Sequence, residues 1–344
     1  MSWMLKTAFR DFLPKPQRAL ALDLGTDSIK LAELSPRNNE FEISILHKIP
    51  NPQGLFFPEP DYEVLAKTLK HMVEEYGLEN RKIISTVWGN NVITRHVEMP
   101  QMPEKELKKA VRWEAKKNIP VSVSDMLVEF VSLENRSKEN KQHLLVTAVS
   151  TELVYRFFEV FKKAGLRLAV LDLKPLALWR LFSAGNQFVE SNREGSNSGE
   201  TLVVADIGAL STHILFVAGK SVKYTRVLPV GGWGITEEIQ QTLGIDAQAA
   251  SVLKHQQGLI KAPEELLKEL LLSIEFYHSK VGDSKVSKVI LTGGESNLIG
   301  LPETLSNELK LPVESVRFND SVGGIDPAFS IVLGLALRRL MDNV

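Results

Sequence analysis

The chain has 344 residues, of which 44% are hydrophobic, a formal net charge of −1 and no cysteine. This length can hold two domains, each large enough to bury a core. The balanced charge gives no basis for a nucleic-acid partner, because binding to nucleic acid relies on a concentrated basic surface. The absence of cysteine excludes disulfides and thiolate chemistry, and no apolar run approaches the roughly 20 residues that cross a bilayer. We therefore expect a soluble, cytoplasmic protein.

The first segment, residues 1–18, is predicted to be a short basic amphipathic helix. Apolar side chains recur there at helical spacing, with Lys6 and Arg10 between them, and Pro14 and Pro16 end the pattern. Two roles are open for it: an anchor on a membrane or a partner, or a helix folded onto the rest of the protein. Two or three basic residues bind lipid weakly, which favours the second role.

Residues 19–189 are predicted to form a first α/β domain that opens with a strand hairpin. Within it, the region at about 90–166 has the order strand, helix, strand, strand, helix, which indicates a smaller inserted module. Thr151 is the expected N-cap of the last helix of this module, and Gly165 its end. After the hairpin, the pattern predicts a helix at 62–76, a strand at 81–87, a strand at 92–99, a helix at 104–118, strands at 126–133 and 143–150, a helix at 151–164, a strand at 166–173 and a helix at 175–184.

The polar, aperiodic residues 190–200 predict a linker, and residues 201–327 a second domain. The second domain opens with another strand hairpin and continues with a helix from Thr236, a helix at 263–281 and a strand at 288–292. A closing helix at 328–341 is assigned to the first domain.

The two hairpins share a pattern that points to phosphate binding. Residues 20–28 and 203–211 align without a gap, and the matched pairs are Asp23 with Asp206, Gly25 with Gly208, and Ser28 with Ser211. A glycine turn lets backbone N–H groups approach phosphates, and a carboxylate can hold Mg²⁺ through water. Additional hydroxyl donors could come from Thr26, Ser28, Ser211 and Thr212. One copy alone reads as an ordinary hairpin with Asp and Gly as turn formers, but the repetition favours a phosphate site.

Two further glycine-bearing strand ends could complete a nucleotide site. Gly293 and Gly294 follow the strand at 288–292, where backbone can approach a flat ring or a sugar, and Asn297 could start the next helix. Residues 229–239 contain Gly232 and lead from a strand into a helix. Each element is ambiguous alone, because an ordinary strand-to-helix turn has the same composition.

Taken in order, these elements resemble the phosphate-1, phosphate-2 and adenosine motifs of the actin, sugar-kinase and Hsp70 ATPase superfamily. Within it the chain resembles the PilM family of type IV pilus assembly proteins, which is related to the division protein FtsA. The most specific likeness lies in the inserted module, at residues 92–100 (VITRHVEMP), 110–115 (AVRWEA) and 119–120 (IP). The resemblance implies an actin-like (ribonuclease H-like) two-domain ATPase fold with an FtsA/PilM-type inserted subdomain.

The resemblance also implies ATP and Mg²⁺ as ligands. The residues that it places at the phosphates and the metal are Asp23, Gly25, Thr26, Asp206 and Gly208, with Asp23 and Asp206 holding Mg²⁺ through water. The residues that it places at the adenosine are Gly293, Gly294 and Asn297, with Lys254 near the ribose or base.

A partner is implied as well. PilM-like proteins act at the cytoplasmic face of the inner membrane, where the inserted module grips the short N-terminal tail of the bitopic protein PilN and links it to the pilus motor machinery. On this basis the expected contacts are Thr94, Arg95, Val97, Met99 and Trp113. Membrane association would then run through partners, which include other pilus or secretion components, and a homo-oligomer is an open alternative.

The chain departs from the family pattern at several positions, which argues against fast hydrolysis. Lys174 stands where actin-like ATPases tend to carry Gln or Glu near the attacking water. The other departures are Ala209 and Leu210 in place of glycines, Ser251 in place of a ribose-binding Glu, and Trp233 at a usually polar position. Positioning is most of phosphoryl-transfer catalysis, so nucleotide binding survives such changes better than turnover does.

Asp172 and Asp206 are the candidate catalytic carboxylates. We expect an ATP-binding adaptor with slow or no hydrolysis. The alternatives are an active ATPase or kinase of the same superfamily, and an FtsA-like membrane-associated filament protein.

Overall fold

The computed structural model describes residues 18–37, 40–56, 59–87, 92–118, 125–133, 141–184, 188–189, 200–219, 221–280, 285–319 and 324–341. The helix predicted at 1–18 and the linker predicted at 190–200 lie outside these ranges, apart from Arg18 and Glu200. The Ile-Pro pair at 119–120 lies outside them too.

The strands are β1 (Ala19–Leu24), β2 (Ser28–Arg37), β3 (Glu40–Pro50), β4 (Lys82–Thr86), β5 (Val92–Pro100), β6 (Met126–Ser132), β7 (Lys141–Ser150), β8 (Arg167–Asp172), β9 (Thr201–Ile207), β10 (Thr212–Ala218), β11 (Ser221–Leu228), β12 (Val286–Thr292) and β13 (Val313–Ser315). The helices are α1 (Tyr62–Tyr76), α2 (Glu104–Asn118), α3 (Thr151–Lys163), α4 (Lys174–Ala184), α5 (Gly232–Leu243), α6 (Ala247–Gln256), α7 (Glu264–Lys280), α8 (Leu301–Leu309) and α9 (Ser330–Leu340), with a 3₁₀ turn at Pro327–Phe329 before α9.

Two sheets with the same topology form the frame of the protein. Their described strands follow the order β3-β2-β1-β4-β8 in the first sheet and β11-β10-β9-β12-β13 in the second. In each sheet the first three strands pair antiparallel, and the last two are added in parallel. β1 and β9 hold the same central place, so the two Asp–Gly hairpins, β1–β2 and β9–β10, are equivalent in structure as well as in sequence.

Helices α4 and α9 lie between the two sheets. One hydrophobic cluster joins Ala21 of β1, Val332 of α9 and Val204 of β9, all of them fully buried. Gly334 of α9 approaches the carbonyl of Ala177 in α4 so closely that a Cβ at position 334 would overlap it. Glycine is therefore what allows the two helices to pack at this distance.

Other helices cover the outer faces of both sheets. α1 and α3 pack on the first sheet, where Leu69 and Phe157 are fully buried. α7 and α8 pack on the second, with Leu270 and Leu305 in its core. Because both faces of each sheet are covered, β1 and β9 are apolar along nearly their whole length. No helix within the described ranges is both long and apolar enough to cross a membrane.

A third, smaller sheet is formed by the region predicted as an inserted module. Its described strands run antiparallel in the order β5-β7-β6. α2 covers one face, where Leu107 and Val111 of the helix meet Met99 and Val146 of the strands. The predicted order of strand, helix, strand, strand, helix is confirmed. The limits given above for the domains stay a prediction.

One predicted N-cap and one predicted helix start were wrong. The N-cap of α3 is Ser150, not Thr151: its hydroxyl accepts a hydrogen bond from the Leu153 amide at 3.5 Å. α5 begins at Gly232, four residues before the predicted Thr236, because its first N–H groups find acceptors in the second hairpin.

Asn297 does not start a helix, since α8 begins only at Leu301, after a left-handed Gly300 with φ of 78°. The closing helix is divided into the 3₁₀ turn and α9. The elements that the pattern did not predict are β3, β13 and α6.

Candidate functional site

The first hairpin turns tightly between β1 and β2. A Cβ on Gly25 would lie 2.7 Å from both the Lys30 ammonium nitrogen and the Ser28 carbonyl, so only glycine fits. The Asn51 amide fixes the turn by donating to the carbonyls of Gly25 at 2.8 Å and Thr26 at 2.9 Å. The turn is thus held rigid from outside, and its backbone passes close to a buried ammonium group.

Asp23 ends up buried at the foot of this turn. The Thr86 hydroxyl donates to its Oδ1 at 3.3 Å, and the Lys174 ammonium lies 3.5 Å from the same oxygen. Ser28 is buried as well, and its hydroxyl has no hydrogen-bond partner among the described residues. These are polar groups kept available inside the protein, as a ligand site requires.

The second hairpin rests on the start of a helix. Gly208 donates to the Ser211 carbonyl at 3.0 Å, while the amides of Gly232 and Trp233 donate to the carbonyls of Gly208 at 2.9 Å and Ala209 at 2.8 Å. Two of the N–H groups that α5 could offer to an anion are therefore already used. The hydroxyl of Thr212 donates to the Val230 carbonyl at 2.7 Å, so it supports the hairpin and does not face a ligand.

The two hairpins bring Asp23 and Asp206 to one cluster with Lys30 and Lys174. Burial raises the pKa of Asp206 to about 6, with Lys174 acting against this rise and Asp23 adding to it. Burial likewise lowers the pKa of Lys30, while Asp23 raises it. Lys30 donates to the Ser28 carbonyl at 3.1 Å. We call these four side chains the Asp–Lys cluster.

Two more elements close the cluster. Gly293, with φ of 89°, approaches so near that a Cβ there would lie 2.8 Å from Oδ1 of Asp206. His213 of β10 pairs with Asp206 across the sheet, and burial lowers its pKa to about 3, so the imidazole is neutral. The strand end predicted to meet an adenosine therefore touches the predicted phosphate site.

The side chains around Asp23 and Asp206 decide whether Mg²⁺ fits between the two hairpins. This cation prefers oxygen ligands and keeps several waters. Here the two carboxylates share their space with two ammonium groups. In this set the carboxylates are already paired with ammonium groups, so it does not support the Mg²⁺ site predicted at Asp23 and Asp206.

Lys254, predicted near a ribose or base, is buried in an ion pair. Its ammonium lies 2.9 Å from the Glu295 carboxylate and donates to the Gly232 carbonyl at 3.0 Å. The Glu295 side chain lies so close against Gly232 that a Cβ there would overlap it. Gly294, in contrast, has open space around it. Glu295 was not identified from the sequence, although it directly follows the glycine pair.

Asp172, the other candidate catalytic carboxylate, is bound by arginines. Arg180 of α4 contacts Oδ2 at 2.6 Å, Arg338 of α9 contacts Oδ1 at 2.9 Å, and the Leu173 amide donates to Oδ1 at 2.8 Å. Burial raises the pKa of Asp172, but Arg180 and Arg338 outweigh it, so the pKa lies below its usual value. A carboxylate held in this way is a poor base for a water molecule, which speaks against a catalytic role.

Asn297 takes part in none of these ion pairs. It lines an open cavity of about 500 Å³ together with Val316, Phe318 and Asp326, none of which belongs to a predicted motif. Its location at the adenosine stays a prediction.

The predicted partner residues differ in how accessible they are. Met99 is buried, which withdraws its side chain from a partner, and Val97 is half-buried against the same core under α2. Thr94 is half-buried, whereas Arg95 is exposed. Trp113 is 59% exposed on α2, with the Lys117 ammonium 3.4 Å from its ring centre.

Comparison with known proteins gives a consistent result. A family model described as type IV pilus assembly protein PilM matches residues 21–339. Among solved structures, the chain is similar to a chain of a PilM–PilN type IV pilus biogenesis complex, at 30% identity and a TM-score of 0.81, over 96% of this chain and 100% of that one.

More distant proteins share the fold. The ethanolamine utilization protein EutJ from Carboxydothermus hydrogenoformans matches with a TM-score of 0.53 at 16% identity, over 94% of this chain and 90% of that one. MreB5 of Spiroplasma citri bound to ADP matches with a TM-score of 0.50 at 12% identity, over 94% and 96%. The curated cell division protein FtsA of Bacillus subtilis (strain 168) is 26% identical over 208 residues, 58% of this chain and 43% of that protein, so the match spans less than half of FtsA. The predicted actin-like α/β fold and the relationship to FtsA are confirmed.

Proposed function

The chain belongs to the type IV pilus assembly protein PilM family, and from this premise we propose that it is an actin-like, ATP-binding adaptor of a type IV pilus or related secretion assembly. Its partner is the cytoplasmic tail of a PilN-like bitopic membrane protein. The observation that carries the proposal is the full-length likeness to a chain of a PilM–PilN complex.

The nucleotide part of the proposal rests on the convergence of the two hairpins. Gly25 and Gly293 bring backbone to within contact distance of charged side chains, and Lys30 and Lys174 supply positive charge beside them. A phosphate chain is recognised by such backbone and ammonium groups. Proteins of the actin-like fold generally bind nucleotide together with Mg²⁺, and the adenosine would lie toward Lys254 and Gly294.

Slow or absent hydrolysis follows from the same residues. Hydrolysis needs a side chain that orients the attacking water. Lys174 is an ammonium without acceptor capacity, and Asp172 is bound by Arg180 and Arg338. The second turn, with Ala209 and an exposed Leu210, offers no replacement. We therefore propose binding of ATP as the working state of the protein.

The inserted module is proposed to hold the tail. Trp113 and Arg95 are its exposed candidates for contact, an aromatic and an arginine of the kind that dominate interface energies. Val97 and Met99 contribute indirectly, because they pack in the core beneath the surface on which the tail lies. With the tail emerging from a membrane protein, the adaptor works at the cytoplasmic face of the inner membrane, next to other assembly components.

The test is a binding titration with a peptide that comprises the cytoplasmic N-terminal tail of the PilN-like protein encoded with this chain. We expect the wild type to bind, and Trp113→Ala to weaken binding by about tenfold or more, as loss of a central aromatic contact does. Fluorescence anisotropy of the labelled peptide measures both.

Tyr155→Ala is the matched control, because Tyr155 is a similarly exposed aromatic residue (67%) on α3, a helix that packs on the first large sheet, whereas Trp113 lies on α2, which covers the inserted sheet. It should bind like the wild type. A wild-type chain that ignores the peptide would contradict the adaptor function, and equal affinities for the wild type and Trp113→Ala would contradict this choice of surface.

A further inference from the structure

Lys174 occupies an unusual position for a lysine. It is the first residue of α4, where the helix dipole and the unpaired N–H groups favour negative charge. Its side chain is only 17% exposed, and its ammonium lies 3.5 Å from Oδ1 of the buried Asp23. A lysine that is disfavoured both by burial and by the helix dipole is kept there by its carboxylate partners.

The same ammonium acts on the second hairpin. Among the charges that influence Asp206, that of Lys174 is the strongest, and it favours the ionised carboxylate. Lys174 thus pairs with Asp23 of the first sheet and favours the charged form of Asp206 of the second sheet. With Lys30, the Asp–Lys cluster contains two negative and two positive charges, so the carboxylates are neutralised by the protein itself.

From this balance we propose that the Lys174 ammonium takes the place of the divalent cation between the two hairpins, so that the chain binds ATP without Mg²⁺. The inference rests on the proposed nucleotide binding and makes it more specific. A dication entering the cluster would meet two ammonium groups at short range and would have to displace Lys174 from Asp23.

The phosphates of ATP would then contact ammonium groups and no metal ion. Lys30 approaches the first turn with its ammonium nitrogen 2.7 Å from where a Cβ of Gly25 would lie, and Lys174 approaches from the start of α4. An ammonium supplies charge but neither bridges two phosphates nor activates water as a metal ion does. The cluster is accordingly suited to holding a nucleotide and not to cleaving it.

Calorimetric titration of ATP into the full-length chain, once with excess Mg²⁺ and once with EDTA, tests the inference. We expect the two Kd values to agree within about threefold. Lys174→Gln, which removes the charge but keeps most of the side-chain length, should weaken binding in EDTA by about tenfold or more and regain affinity when Mg²⁺ is added. Lys174→Arg should keep the wild-type behaviour, because it keeps the charge.

Lys70→Gln is the control, since Lys70 is an exposed lysine of α1 (62%) paired with Glu74 at 3.8 Å, and it should bind like the wild type. Binding by the wild type that needs Mg²⁺ would overturn the inference and leave the proposed function intact. Equal, Mg²⁺-independent binding by the wild type and Lys174→Gln would also overturn it. Absence of binding under both conditions would overturn the nucleotide part of the proposed function, and the inference with it. Circular dichroism checks that each variant is folded. If Lys174→Gln does not fold, the two titrations of the wild type, with Mg²⁺ and with EDTA, still test whether ATP binding needs Mg²⁺.

Discussion

Asp172 connects three elements of the first domain through its carboxylate. The strand β8 supplies the residue, α4 and α9 supply Arg180 and Arg338, and all of these contacts lie where the two helices enter the space between the sheets. A buried carboxylate is costly unless its charge is paired and hydrogen-bonded. With two arginines and one amide it is satisfied, and it orients both helices against the sheet.

We expect Asp172→Asn to destabilise the protein strongly. The substitution keeps the size of the side chain but leaves two arginines, one of them fully buried, without their counter-charge, which costs about 3–5 kcal/mol when a buried pair is broken. Urea denaturation followed by circular dichroism measures the loss. Glu42→Gln, at an exposed pair with Arg37, should cost at most about 1 kcal/mol. Similar losses in the two variants would contradict a structural role for Asp172.

Some site residues are predictable from the local sequence, and others depend on partners that are far away in the chain. Asp23, Gly25 and Asp206 were predicted from the repeated hairpin, because the strand and turn that position them are local in the chain. Glu295 was not identified, since its partner Lys254 is 41 residues away and only the tertiary fold joins them. The pairing of Lys174 with Asp23 is likewise long-range.

At the scale of elements, two glycines inside helices have opposite surroundings. Gly334 lies in the middle of α9, directly against the backbone of α4. Gly234 lies in α5 on the surface, where a Cβ would meet only Val230 Cγ1 at 4.0 Å. The same substitution therefore changes packing at one position and only the backbone entropy at the other.

We expect Gly334→Ala to destabilise the protein by about 1–3 kcal/mol, because the added methyl group must push α4 and α9 apart. Gly234→Ala should be neutral or stabilise by up to about 1 kcal/mol, because alanine is the better helix former. Thermal unfolding followed by calorimetry compares the two with the wild type. A Gly334→Ala variant as stable as Gly234→Ala would contradict the close approach of the two helices.

The predicted limits of helices and strands agree best with the structure where the residue pattern allows a single interpretation. The helix at 62–76 was predicted to its ends, since Asp61 caps it and Gly77 stops it in a left-handed conformation. β3 was not predicted, although as an edge strand it alternates between exposed and half-buried residues, which is a strand pattern. The start of α5 was misplaced, because its first hydrogen bonds are made to the turn at Gly208 and Ala209 and not to a local cap.

At the scale of the whole molecule, the duplicated sheet topology was predictable, while the contacts between its parts were not. The inserted sheet touches the second large sheet through His96 of β5, whose Nε2 accepts a hydrogen bond from the Thr225 amide at 3.0 Å. The ring also packs on Tyr224, with 5.0 Å between ring centres. The residue as a whole is exposed, but this side of its ring is covered, and nothing in the local sequence indicates a contact across 129 residues.

This contact makes the stability of the protein depend on pH. Burial is the largest cause that lowers the pKa of His96 to about 4, and the nearby His143 acts in the same direction. The pKa in the unfolded chain is about 6.5, so between these values the unfolded state binds more protons and stability falls as the pH is lowered. The protonated Nε2 can no longer accept from the Thr225 amide. The contribution of the contact is therefore complete above about pH 6.5 and is lost as the pH approaches about 4.

We expect His96→Gln to flatten this dependence, because the amide oxygen of glutamine can accept the same hydrogen bond without titrating. The urea midpoint of the wild type should fall more steeply than that of the variant between pH 6.5 and pH 4.5 or so. Hydrogen exchange of the peptide that covers β11 shows whether the loss begins at this contact: its protection should fall with pH more in the wild type than in the variant. Parallel curves for the two proteins would mean that the inserted module and the second sheet are held together by other contacts, and that His96 does not sense protons there.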